Sequence, residues 1–194
     1  MRDDPAILIL AAGASSRMRG RDKLLEEIDG APLVLRAARA ACAVSGEVLI
    51  ALPAGDRSRS AWLTDLPLTR LRVAERAMSA SISAGAAAAR ADALLIHLAD
   101  MPEIGAAALE SLCDAWRAGN GSILRATTAD GQPGHPVIFG RELFPRLRAL
   151  SGDEGARDLL RSAKVETCIL PGQAAITDLD TPEDWAAWRA RTGG

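Results

Sequence analysis

Three short, largely apolar runs constrain this chain more than any other feature: Ala6–Ala11 (AILILA), Glu47–Leu52 (EVLIAL) and Ala93–Leu98 (ALLIHL). A strand with one wet face alternates apolar and polar residues, so runs without alternation belong to strands covered on both faces. Helical patterns lie between and after them. Pro32–Val44 carries proline at its first turn and Gly46 just past its end. Ser79–Arg90 is alanine-rich, and Ala106–Arg117 stops at Gly119-Asn120-Gly121. Strands alternating with helices predict an α/β fold built on a layered sheet, mostly parallel at first.

The remaining elements are shorter. Leu71–Ala74 reads as a third strand. Ser122–Thr128 and Val137–Phe139 read as strands around a Gly/Pro-rich turn, Asp130–Pro136. Helices fit Arg141–Leu150 and Glu154–Ser162, and a strand fits Val165–Leu170. The last helix is expected near Thr181, with Pro182 in its first turn, Asp180 as its cap, and Trp185 and Trp188 docking it on the body.

Composition narrows the function classes. A length of 194 residues suits one domain spanning 1–194, and 48% hydrophobic with 25% charged residues is ordinary for a globular chain. A net charge of −2 provides no field for nucleic acid or an anionic membrane. No apolar stretch approaches the ~20 residues of a membrane span. Cys42, Cys113 and Cys168 are far apart and form no CxxC pair, so they read as small apolar side chains in a reducing compartment. With acid residues in MRDDPAIL where a leader peptide carries base, the expectation is a cytoplasmic protein.

In such sheets ligands bind outside the carboxyl ends of the strands. The first strand ends in AAGASSRMRGRDK, Ala11–Lys23. Gly13, Ala14, Ser15 and Ser16 let backbone amides approach a ligand closely. Arg17, Arg19, Arg21 and Lys23 follow. Two readings are open at this point: a site for a nucleotide's phosphates, or a basic surface loop that solubilises its surroundings. The glycine spacing fits neither GxxxxGK[ST] nor GxGxxG. A nicotinamide oxidoreductase is least supported, since Asp56 is the only acid near the end of the second strand.

The segment from Leu10 to Lys23, LAAGASSRM…DK, resembles the LAAGxSxRMG…K signature of nucleotidyltransferases related to the molybdenum cofactor guanylyl- and cytidylyltransferases. Arg76–Gly85 (RAMSASISAG), His97–Ile104 (HLADMPEI), Gly134–Phe139 (GHPVIF), Gly152–Leu160 (GDEGARDLL) and Thr177–Trp185 (TDLDTPEDW) resemble later landmarks of that family in the same order. The likeness is closest to the cytidylyltransferase branch. Arg19 and Ala77 stand where glycine is usual, and Ile82 where leucine is commoner.

The resemblance implies a three-layer, Rossmann-like nucleotidyltransferase fold. Its N-terminal half would take a nucleoside triphosphate and its C-terminal half the acceptor. It implies Mg²⁺-dependent transfer of CMP from CTP to the phosphate of a molybdopterin-type cofactor, with release of pyrophosphate. Arg17, Lys23 and Asp100 would be catalytic. The nucleotide would meet Ala11, Ala12, Gly13, Ala14, Ser15, Arg17, Lys23, Ser79, Ser81 and Asp100. The acceptor would meet His135, Asp153 and Arg157, and the metal Asp100 and Asp178, with Asp180 as the competing candidate for the second carboxylate. Arg19 and Arg21 are expected to face water, and His97 to be a satisfied core histidine. Three alternatives stay open: GTP as donor, another phosphorylated acceptor, and a non-catalytic cofactor carrier. A molybdoenzyme that receives the cofactor is a further partner the resemblance suggests.

Overall fold

The computed structural model describes residues 2–75, 77–152, 156–162 and 164–193. Its strands are β1 (Ala6–Leu10), β2 (Glu27–Ile28), β3 (Ala31–Pro32), β4 (Val48–Pro53), β5 (Thr69–Val73), β6 (Ala93–Leu98), β7 (Ile123–Thr127), β8 (Pro133–Gly140) and β9 (Val165–Ile169). Its helices are α1 (Leu33–Val44), α2 (Ser58–Ala61), α3 (Met78–Ala88), α4 (Ala106–Ala118), α5 (Phe144–Arg148), α6 (Arg157–Ser162) and α7 (Pro182–Thr192). Seven strands form one sheet in the order β5-β4-β1-β6-β8-β7-β9. β1 runs parallel to β4 and β6, whereas β8 is antiparallel to both β6 and β7. The mostly parallel sheet expected from the apolar runs is the one observed.

Those runs are largely apolar because both faces of the sheet are covered. Ile7 and Ile9 of β1 point into a core layer that also holds Val34 and Ala38 of α1, Leu109 and Leu112 of α4, and Trp185 of α7. Ala6 and Leu8 point into the opposite layer, with Ile82 and Ala86 of α3 and Phe144 and Leu147 of α5. Gly85 matters on this second face. A Cβ there would lie 2.2 Å from the Leu8 side chain, so glycine lets α3 settle on β1 without displacing that leucine.

α7 docks as its sequence suggests, with Trp185 and Trp188 buried and their rings edge-on at 6.5 Å. Its cap differs from expectation. Thr181 is the N-cap residue and forms a reciprocal capping box with Asp184, which leaves the Asp180 side chain free for another task. The residues 141–150 begin as a 3₁₀ turn, and the α-helix starts only at Phe144, which puts Pro145 in its first turn. β8 starts at Pro133, well inside the expected turn, because the chain reverses within Thr128–Gln132, where the Gly131 N–H donates to the Thr128 carbonyl at 3.0 Å. The β2–β3 hairpin was not expected. Its signal was Asp29-Gly30, both at positive φ, a pair suited to a two-residue turn.

The chain order creates the site. From β1 the sheet grows outward through β4 and β5, then resumes on the other side of β1 with β6. Such a switch opens a crevice at the strand ends. Leu10 and Leu98, the last residues of β1 and β6, are in register, and the Ala99 N–H donates to the Leu10 carbonyl at 3.3 Å. The loop after β1 and Asp100 therefore leave the sheet side by side.

Candidate active site

Residues from three distant segments meet at one ammonium group. Lys23 Nζ donates to Asp100 Oδ2 and to Asp180 Oδ1. Arg17 adds a contact to the other oxygen of Asp180 at 2.8 Å. Asp180 reaches this point because the Leu179 N–H donates to the Asp100 carbonyl at 3.1 Å, pinning the segment before α7 against the end of β6. The side chains of Lys23, Asp100 and Asp180 are only 12%, 16% and 21% exposed. Burial acts to lower the Lys23 pKa, but Asp100 and then Asp180 outweigh it and hold the ammonium above its usual value. Asp178 lines the same cavity, and its carboxyl is pushed up by burial, then by Asp180 and Asp100.

This cavity measures about 510 Å³ and is also lined by Ala12, Gly13, Met78, Ser81 and His135. Its fixed charges are three carboxylates against one lysine and one arginine. A triphosphate entering it therefore needs a further cation. Asp100 Oδ1 is buried without a partner, an oxygen aimed at nothing the protein provides. Among the described residues no three His, Cys, Asp or Glu side chains form a complete metal cage. A hard divalent cation takes one or two carboxylates and completes its shell with other oxygens, and this cavity offers carboxylates of that kind.

The loop itself is held from beneath by a residue that gave no sequence signal. Arg59, in α2, is 4% exposed. Its guanidinium donates to the carbonyls of Ala11 and Gly13 at 2.5 and 2.9 Å, and to both oxygens of Asp22 at 2.7 and 2.9 Å. Asp22 in turn accepts from Ser15 Oγ and from the Leu24 N–H, each at 3.1 Å. Ser15 sits at φ 51, a left-handed conformation that this bonding holds in place. Arg59 lies in RSRS, which reads as an ordinary polar helix start. Asp56 caps α2, accepting from the Arg59 and Ser60 N–H groups.

The structure gathers most of the expected residues but not all. Arg17, Lys23, Asp100, His135 and Asp178 share the cavity with Ala12, Gly13 and Ser81. Ala11 is fully buried beneath it. Ala14 and Ser15 line a second cavity on the outer side of the loop. Ser79 is 2% exposed and its hydroxyl donates to the Gly152 carbonyl at 2.6 Å, away from the cavity. Asp153, Arg76 and the side chain of Arg157 lie outside the described residues. Arg19 and Arg21 face water as expected and pair with Glu183 and Glu26. His97 departs from expectation: it is fully buried, yet neither ring nitrogen has a partner. Burial, then the neighbouring His135, lowers its pKa to about 3, so the ring is neutral.

Residues 7–167 match the MobA-like NTP transferase domain family. The chain belongs to this family and is a nucleotidyltransferase. It is 34% identical over 185 residues to a molybdenum cofactor guanylyltransferase of Pseudomonas aeruginosa, covering 92% of this chain and 91% of that one. It is 29% identical to the 2-C-methyl-D-erythritol 4-phosphate cytidylyltransferase of Deinococcus radiodurans, covering 97% and 89%. The crystal structure of Rv0371c from Mycobacterium tuberculosis superimposes with a TM-score of 0.79 at 28% identity, over 96% of this chain and 98% of that one. A manganese complex of the same mycobacterial protein superimposes with a TM-score of 0.76 over 95% and 97%. No helix among the described residues is long and apolar enough to cross a membrane.

Two outcomes follow from this geometry. Arg59→Lys removes the fork that grips two carbonyls and a carboxylate together. It is expected to destabilise the fold by about 2–4 kcal/mol and to weaken triphosphate binding at least tenfold; wild-type urea midpoints and affinity would contradict the clamp. Replacing His97 by leucine removes a buried group with no partners and is expected to be neutral or stabilising at pH 7. Because the folded pKa is about 3 and the ordinary value 6.5, the wild type should lose stability relative to His97→Leu below pH 6.5. The slope is about 1.4 kcal/mol per pH unit for one proton. Urea unfolding of both proteins from pH 7.5 to 5 measures the difference; parallel curves would refute it.

Proposed function

We propose that the protein transfers a nucleotidyl group, with a divalent cation, to the phosphate of a molybdopterin-type molybdenum cofactor and releases pyrophosphate. The observation that carries the reading is the convergence of Lys23, Asp100 and Asp180 at the mouth of the β1–β6 crevice. The relatives named as molybdenum cofactor guanylyltransferases support the acceptor class.

An oxygen of the acceptor's phosphate attacks the α-phosphorus of the triphosphate. The bond to the bridging oxygen breaks and pyrophosphate leaves with the electron pair. The attacking oxygen is already anionic near neutral pH, so no general base is required, and catalysis rests on positioning and charge neutralisation. The amides of Ala12–Ser16, with Arg17, receive the β- and γ-phosphates. Lys23 sits where charge accumulates on the leaving group. Asp100 and Asp180 would hold the cation, Mg²⁺ in our reading, which would supply neutralisation of phosphate charge. Asp180 takes this role in preference to Asp178, because it shares the Lys23 ammonium with Asp100, whereas Asp178 stands toward the acceptor side.

We take CTP as the donor, on the resemblance of the chain as a whole to the cytidylyltransferase branch. GTP is the second reading, favoured by the names of several relatives. Pyrophosphate release with Mg²⁺, molybdopterin-type acceptor and either triphosphate tests the activity. The expected result is turnover with CTP preferred, and a loss of at least 10²–10³-fold in Asp100→Asn and in Asp180→Asn. Preference for GTP would replace the donor and leave the acceptor reading intact. No pyrophosphate from any triphosphate, or full activity in Asp100→Asn, would overturn the proposal.

A further inference from the structure

Beside the main cavity lies a smaller one of about 250 Å³, which shares Leu98, His135 and Asp178 with it. One wall, Met101, Ala175 and Ile176, is apolar. The other presents Arg125, Gln132 and His135. Arg125 lines only the smaller cavity and had no part in the sequence expectations.

Arg125 stands on β7, half-buried between β8 and β9. Its Nε–H donates to the Gly134 carbonyl at 2.8 Å, which turns the guanidinium toward the segment that carries His135. Gly134 is required there, since a Cβ would lie 1.8 Å from the Ala175 carbonyl oxygen. The His135 N–H donates to that same carbonyl at 2.8 Å, so the backbone fixes where the imidazole sits. Among the described residues no carboxylate forms an ion pair with Arg125, in contrast to Arg17, Arg59 and Arg141. Asp178 lines the same cavity but makes no ion pair with Arg125, and a half-buried guanidinium with no bonded acid calls for an anion from outside. His135 Nδ1 is sealed from solvent with no partner. Burial and the nearby Arg125 hold this ring neutral, with a pKa of about 4, so it offers a hydrogen bond without adding charge.

Nucleotidyl transfer brings two phosphates together, and their repulsion must be offset from both sides. Lys23 and Arg17 serve the triphosphate. From this placement we infer that Arg125 is the anchor of the acceptor's phosphate, with His135 as its hydrogen-bonding companion. The apolar wall beside them receives the body that carries the phosphate. The acceptor is thus a phosphate monoester whose body turns an apolar face to Met101, Ala175 and Ile176. The inference rests on the nucleotidyl-transfer reading above, yet its test does not require turnover.

Phenyl phosphate, an aromatic monoester, serves as the probe, with inorganic phosphate beside it. Their dissociation constants are measured by phosphorus NMR or calorimetry on the wild type, Arg125→Met, Arg125→Lys and Arg17→Met, each checked by thermal melting. Binding of CTP and GTP with Mg²⁺ is measured on the same proteins. The expected result is at least a tenfold loss of phenyl phosphate affinity in Arg125→Met, partial recovery in Arg125→Lys, and little change in Arg17→Met. Triphosphate affinity should stay within about twofold of wild type in both Arg125 variants. Phenyl phosphate should bind more tightly than inorganic phosphate to the wild type and to Arg17→Met, less markedly to Arg125→Lys, and not to Arg125→Met. Unchanged phenyl phosphate binding in Arg125→Met, or an equal loss of triphosphate and monoester, overturns the inference. If Arg125→Met melts early, Arg125→Lys decides: a melting temperature like wild type with no monoester preference also overturns it. Absence of pyrophosphate release in the wild type would instead strike the nucleotidyl-transfer reading.

Discussion

The contact of Lys23 with Asp100 and Asp180 is the constraint on which the rest of the structure turns. It joins the loop after β1, the end of β6 and the turn before α7, which are separated by 77 and 157 residues in the chain. Each carboxylate taken from water without a counter-charge would be costly, and so would the lysine. Together they form a partly buried group that is stable when no triphosphate is bound and can be repartitioned when one arrives. The remaining lone pairs, above all on Asp100 Oδ1, keep the site receptive to a cation.

Rigidity is supplied from below. The sheet places the ends of β1 and β6 in register, and Arg59 ties the carbonyls of Ala11 and Gly13 to Asp22. The loop's amides are thereby held in fixed positions, and in the proposed reaction such preorganised donors are where electrostatic stabilisation gains most of its effect. The charged tips are treated differently. Arg17 is 69% exposed and Arg19 74%, so these side chains can adjust to a ligand while the backbone beneath them stays fixed. Three free thiols, at Cys42, Cys113 and Cys168, take no part in the site, and burial raises each of their pKa values.

Much of this was legible from the residues. Largely apolar runs announced β1, β4 and β6, and the small residues followed by basic ones marked the loop. Asp100 stood out because it ends a buried strand. What escaped notice shares a physical cause: the decisive partners are tertiary. Arg59 looks like any surface arginine of a polar helix, and only the fold brings the carbonyls of Ala11 and Gly13 to it. Arg125 is a single charged residue in the short strand β7, and nothing in ILRAT distinguishes it from a solvated arginine. Asp180 precedes Thr181-Pro182 as a cap would, but Thr181 and Asp184 satisfy the helix between themselves. His97 sits in an apolar run where a histidine is ordinarily bonded, and no local pattern reports that its nitrogens are orphaned.

The most direct measurement is a crystal structure of the protein with Mg²⁺ and CTP. The account predicts the β- and γ-phosphates on the amides of Ala12–Ser16. It predicts the metal within about 2.1 Å of oxygens from both Asp100 and Asp180. Lys23 Nζ should have moved from between the carboxylates onto a phosphate oxygen. A triphosphate bound away from this loop, or a metal that does not touch Asp100, would contradict the central claim.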